Sequence, residues 1–245
     1  MNRIFYLPLS ILFFFSGNLF AQALADAEAG LVMPTYNDIR IPGDGGTLFD
    51  ANEQLSTGLK VYYRFRAGYR FGDRHNVFLL FAPLQLTYTG AFRQPIAYMG
   101  STFGPEEPTT LTYVFNSYRL TYRYDFIESD RIRAGAGLTA KIRDAYIDVA
   151  QEGLSARKSN VGFVPLINLY FNWRFAERFG LLVEGDGLAS PQGRAFDFEV
   201  ALPFQVTDQL TARIGYRFLE GGADNDEVYN FTLLQYGLGA LSLRF

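Results

Sequence analysis

The chain has 245 residues, 49% of them hydrophobic and 19% charged, with a formal net charge of −3. That composition excludes a disordered chain, and the charge gives no electrostatic case for a nucleic-acid partner. Cysteine is absent and His75 is the sole histidine, which removes disulfides and thiolate metal sites and severely limits His-based catalysis.

At the amino end, Arg3 is the only charge before Asp26. An apolar run follows it, and then Ala21-Gln22-Ala23 and Ala23-Leu24-Ala25 supply small residues at the spacing of a cleavage site. The pattern predicts an export signal peptide over residues 1–23, cut between 21 and 25, and a single domain over 24–245. No later stretch reaches the roughly 18 apolar residues of a spanning helix.

The rest of the chain alternates apolar and polar residues, the period-2 signal of half-exposed strands. Phe and Tyr make up most of a 17% aromatic content, which also favours strands. A first strand is predicted near Glu28–Tyr36. Nine more runs follow: Leu55–Phe71, Asn76–Thr89, Thr110–Phe126, Arg131–Val149, Asn160–Phe175, Phe179–Gly187, Arg194–Val206, Gln209–Glu220 and Glu227–Phe245. The connections alternate between tight turns (72–75, 128–131, 176–179, 207–209) and longer Gly-, Pro- and acid-rich segments (41–54, 93–108, 151–159, 188–193, 221–226). Short turns on one side and long loops on the other predict an all-β, up-and-down antiparallel transmembrane β-barrel of ten strands, with eight as the alternative count. Tyr69-Arg70-Phe71, Tyr122-Arg123-Tyr124, Trp173-Arg174-Phe175 and the closing Leu243-Arg244-Phe245 then fall at one membrane interface as an aromatic girdle.

The segment Leu59–Phe71 sets cations on even positions and apolar residues on odd ones. A barrel of this size has little room for bulky apolar faces inside, so these face lipid. The outward set is predicted to include Phe78, Leu80, Leu84, Leu86 and Tyr88. A Lys or Arg turned to the bilayer midplane costs about 2–4 kcal/mol, so the cations turn inward and need partners. The predicted lumen network joins Lys60, Arg64, Arg66, Arg70, Arg119, Arg123, Arg133, Lys141, Arg213 and Arg217 to Glu184, Asp186, Asp197 and Glu199. It is basic on one wall and acidic on the other, more plug than pore.

The signal peptide, the alternating strands and the terminal "LLQYGLGALSLRF" resemble the outer-membrane β-barrel class of Gram-negative bacteria, nearest to small barrels of the OmpA transmembrane-domain or OmpW type. Leu241, Leu243 and Phe245 resemble the assembly signal of that class. The resemblance implies an integral outer-membrane address, insertion by the barrel-assembly machinery, and contact with outer-membrane lipid and lipopolysaccharide as a monomer. It implies no single activity.

Small barrels of this class include lipid A deacylases, phospholipases and omptin-type proteases, which use a His near the outer rim. His75 instead falls in the tight turn at 72–75, so no catalytic residues are assigned. Ser159 beside Lys158 reads as a polar strand start. Gly135 and Gly137 lie within a strand, where a phosphate loop does not form and glycine makes room for lumen side chains. Asp224, Asp226 and Glu227 are a weak candidate for a hard divalent cation, and Arg157 with Lys158 for lipopolysaccharide phosphate. No cofactor is expected. The sequence therefore predicts a non-enzymatic barrel serving envelope integrity or surface interaction. A narrow channel for ions or small solutes is the alternative, and a lipid A-modifying or proteolytic enzyme the third reading.

Overall fold

The structure, a computed structural model, describes residues 22–245. Ten antiparallel strands close into one barrel: β1 (Gln22–Arg40), β2 (Lys60–Phe71), β3 (His75–Ala82, resumed as Gln85–Ala91), β4 (Pro108–Glu128), β5 (Ile132–Gln151), β6 (Leu154–Arg174), β7 (Gly180–Ser190), β8 (Gly193–Gln205), β9 (Leu210–Asp224) and β10 (Tyr229–Arg244). Each strand pairs with the next, and β10 returns to β1 through a ladder from Leu24↔Arg244 to Arg40↔Tyr229. Closure pairs every strand on both sides along the terminal half of the barrel, while the β6–β7 ladder stops at Ile167↔Gly187 and the β2–β3 ladder at Phe65↔Phe81. The predicted signal peptide lies almost wholly outside the described residues, and its cleavage window reaches the start of β1.

The apolar residues of one strand face form a belt on the outside. On β4 these are Tyr118, Leu120, Tyr122, Tyr124 and Phe126; on β6, Val161, Phe163, Ile167, Leu169, Phe171 and Trp173. Asn116 and Asp144, hydrogen-bonded to each other at 3.3 Å, end the belt on β4 and β5. The aromatic–Arg–aromatic ends lie at the barrel end that holds both termini. Leu241 and Phe245 point outward there, and the Phe245 amide bonds the Ala23 carbonyl at 3.0 Å. Leu138 sits mid-belt on β5, 69% exposed. Leu138→Arg is expected to cost about 2–4 kcal/mol, against at most about 1 kcal/mol for Tyr69→Arg in the girdle. Urea unfolding in lipid vesicles measures both.

Three expectations need correction. The first is register. Phe78, Leu80, Leu84, Leu86 and Tyr88 face inward, and Leu79 and Phe81 face lipid instead. Both faces of His75–Ala82 are apolar, so alternation alone did not orient it, while along Gln85–Ala91 the polar row Gln85, Thr87 and Thr89 is the one turned outward. A bulge between Pro34 and Tyr36 likewise flips β1, so that Asp26, Glu28 and Val32 point inward before it and Asn37 and Ile39 after it.

The second is the loops. Three of the five segments predicted as long loops are mostly ladder, since pairing continues to Gln151↔Leu154, Ser190↔Gly193 and Asp224↔Tyr229. The segment at 41–59 and that at 92–107 do not stand out in solvent. The first carries a short strip at Phe49–Asp50 paired to β1, a one-turn helix α1 (Ala51–Gln54) capped by Asp50, and Leu55–Ser56 paired to β3. The second forms a separate hairpin, Ile96–Tyr98 with Ser101–Phe103.

The third follows from the second. The outer half of the lumen is apolar, not polar. Phe92 of the preceding loop and Ile96, Tyr98 and Phe103 of the hairpin are fully buried against Leu86, Tyr88, Leu111, Val149 and Leu234 of the wall. Phe49 meets Phe92 edge-on at 5.3 Å between ring centres. The loops cover this core, which lies inside the barrel mouth.

Candidate functional site

Below the apolar tier, charged side chains from six strands fill the lumen. Asp197 on β8 is the hub. Its carboxylate accepts from Arg64 at 3.1 Å, Arg119 at 2.5 Å and Arg217 at 2.8 Å. Arg119 also reaches Asp186 at 2.6 Å and donates its Nε to Ser117 at 3.0 Å. Arg217 bridges Glu28 at 2.8 Å and Glu199 at 2.5 Å, and Arg213 holds Asp26 and, at 2.6 Å, Glu199. One step toward the termini, Glu184 accepts from Arg66 at 2.9 Å and Arg123 at 3.2 Å. Arg123 also bonds Asp125 at 2.8 Å and stacks over Tyr170 at 3.6 Å. Gly135 makes that packing possible, since a Cβ there would stand 2.4 Å from an Asp125 carboxylate oxygen.

Not every predicted member belongs. Lys60 is exposed beyond the layer, at the outer end of β2, where it pairs with Val32 of β1 and has no β3 neighbour because that ladder ends at Phe65↔Phe81. Arg70 and Arg133 pair with Glu128 at the terminal end, at 3.2 and 2.7 Å. Lys141 is 3% exposed and meets the Phe115 ring at 4.7 Å, without an ion pair among the described residues. Asp26, Glu28, Asp125 and Glu128 were missed. The walls are also not one basic and one acidic: acidic β1 lies beside basic β2, and basic β9 beside acidic β8. Asp26 and Glu28 precede the bulge and alternate with Ala25, Ala27 and Ala29, but the predicted strand begins only at Glu28 and the predicted network leaves out its carboxylate.

The other candidates separate. Glu227 bonds Lys158 at 2.9 Å, and that bond holds its carboxyl below the usual range. Among the described residues no three His, Asp or Glu groups converge on a metal position, so Asp224, Asp226 and Glu227 do not form one. Arg157 pairs with Asp148 at 3.0 Å. His75 begins β3 rather than sitting in the turn. Its Nδ1 lies 2.9 Å from the Tyr122 hydroxyl and its ring stacks on Phe71, within the girdle.

The ion layer separates two cavities. The outer one has a volume of about 840 Å³ and reaches down to Lys141, Asp186 and Asp197. The inner one, about 120 Å³, is lined by Arg66, Glu184, Arg213 and Arg244, and the two share no lining residue.

A closed ten-stranded barrel with a lipid-facing belt and a charged layer across its interior is an integral outer-membrane β-barrel. The solved structures similar to it are of the same class. The outer membrane protease OmpT from Escherichia coli superposes with a TM-score of 0.56 at 10% identity, over 91% of this chain and 97% of that one. The translocator domain of the autotransporter NalP from Neisseria meningitidis gives 0.44 at 11% identity, over 94% and 90%. Ail, the attachment invasion locus protein of Yersinia pestis, gives 0.39 at 10% identity, over 91% and 99%. No family model matches the chain, and no curated protein matches it in sequence.

Proposed function

We propose that the protein is a closed, non-enzymatic barrel that serves envelope integrity or surface interaction from its outer face and does not pass solutes. The observation that carries this reading is the ion layer, with cavities above and below it that share no lining residue. A channel needs a continuous path. Here Arg64, Arg119, Arg213 and Arg217 cross it, each bonded to at least one carboxylate. OmpT is a protease, but at 10% identity the likeness concerns the fold. His75 sits in the girdle at the terminal end, away from the outer mouth, and Lys158 is engaged with Glu227. The proposed partners are outer-membrane lipid and lipopolysaccharide, and the assembly machinery through Leu241, Leu243 and Phe245. The proposed form is a monomer whose signal peptide is removed on export.

Planar-bilayer recording tests the reading. The purified protein is expected to give no steady openings at moderate voltage. Steady openings that change when Arg119 or Arg217 is replaced would establish the channel alternative instead.

A further inference from the structure

We propose that the outer cavity is a binding site for an anion carried on a single apolar chain, entered sideways from the outer leaflet between β6 and β7. This goes beyond the closed-barrel reading and does not depend on it.

The route is a break in the wall. The β6–β7 ladder ends at Ile167↔Gly187, although β6 runs on through residues 154–166 and β7 to Ser190. Val161, Phe163 and Pro165 of that unpaired stretch lie on the outward, belt face of β6. The start of the break, at Phe163 and Pro165 opposite Ile142 and Ala140 of β5, therefore lies at membrane depth, inside the belt that Asp144 ends. Pro165, which has no N–H to donate, suits an unpaired edge. The cavity wraps this edge: it is lined by inward Val164 and Leu166, by outward Phe163 and Pro165, and by Leu188 across the break. A second wall break, above the Phe65↔Phe81 pair of β2 and β3, has Leu84 and Tyr62 packed behind it and borders a void of only about 20 Å³.

The headgroup preference comes from charge. Of the carboxylates lining the cavity, Asp186, Asp197, Glu220 and Glu227 are each bonded to a cation, and Asp226 sits in the exposed outer turn. Two cations lack a carboxylate. Lys141 is 97% buried at the floor, with its ammonium 4.7 Å from the centre of the Phe115 ring. Arg143, two residues along the same face, bonds Asn160 at 2.5 Å and leaves its Nε buried without an acceptor. A buried, unpaired ammonium beside an unsatisfied guanidinium calls for an anion. Above them Tyr113, Phe115, Ile147 and Leu219 offer the apolar surface a chain requires. The volume of about 840 Å³ falls in the range of small-molecule sites.

The test is equilibrium binding to the full barrel in lipid nanodiscs, with dodecanoate, dodecyl phosphate and neutral dodecanol as probes. Saturable binding of at least one anion is expected, and the tighter of the two names the headgroup. Lys141→Met should weaken it about tenfold or more, as loss of one charge-assisted hydrogen bond does. Lys60→Met, an exposed cation outside the cavity, should not. Heat-modified gel mobility verifies that each variant is folded. Dodecanol binding as tightly as the anions, or Lys141→Met binding as tightly as the parent, would overturn the site. Leu188→Trp narrows the break and should slow association from the bilayer; an unchanged rate would overturn the sideways route.

Discussion

Asp197→Asn is expected to cost about 3–5 kcal/mol of unfolding free energy, the loss typical of removing one partner from a buried ion pair. The substitution keeps the shape of the side chain and removes the charge that Arg64, Arg119 and Arg217 all face. Those guanidiniums then press on one another across an amide. The three do not suffer equally. Arg119 keeps Asp186, and Arg217 keeps Glu28 and Glu199. Arg64 has Asp197 as its only carboxylate among the described residues. Arg64→Met should therefore cost less than Asp197→Asn, because Asp197 retains two partners. In the double variant the two losses should fall short of their sum, since the cation stranded by the first change is removed by the second. Urea titration in vesicles, followed by the heat-modified band shift, measures all three. Simple additivity would mean that Arg64 and Asp197 do not depend on each other, contrary to their geometry.

Much of the barrel was legible because its physics is written residue by residue. The belt on β4 and β6 follows from period-2 alternation; Asp197 and Glu199 alternate with Phe196 and Phe198, and Glu184 and Asp186 with Val183, Gly185 and Gly187, so their inward placement follows too. What was hidden depends on relations between strands. The first part of β3 is apolar on both faces, and in its second part the loop packed against Leu86 and Tyr88 explains why the apolar row turns inward and Gln85, Thr87 and Thr89 turn outward. The acidic wall of β1 was hidden because the strand begins at Gln22, before the Glu28 start read from the sequence, and its carboxylates alternate with small alanines instead of a bulky apolar row. The long loops look like solvated surface because they carry Gly, Pro and acids. Yet Ile96, Tyr98 and Phe103 are spaced within that polar sequence as one buried cluster. The break between β6 and β7 had only Pro165 as a sequence signal, because it arises from the different lengths of two neighbouring strands.

The hairpin at 96–103 sets up the other large effect. Tyr98 is fully buried, donates its hydroxyl to the Ile147 carbonyl at 2.8 Å, and meets Phe103 edge-on. Truncating a core aromatic to Ala costs about 3–5 kcal/mol. In Tyr98→Ala that loss should appear as local opening and not as barrel unfolding, because the hairpin is a two-stranded sheet of its own, outside the barrel ladder. A few backbone bonds tie it to its surroundings, such as Met99 N–H to the Ile41 carbonyl and Thr47 N–H to the Ala97 carbonyl, both 2.9 Å. Arg93 is exposed at the base of this loop. Trypsin added to intact cells should cut Tyr98→Ala there while the parent resists, and the heat-modified shift should stay in place. Tyr98→Phe loses only the hydroxyl bond, worth about 1 kcal/mol, and should stay resistant. The opened variant should remain electrically silent, since the Asp197 layer beneath the apolar tier is intact. Conductance from Tyr98→Ala alone would assign the seal to the loops instead of to the ion pairs.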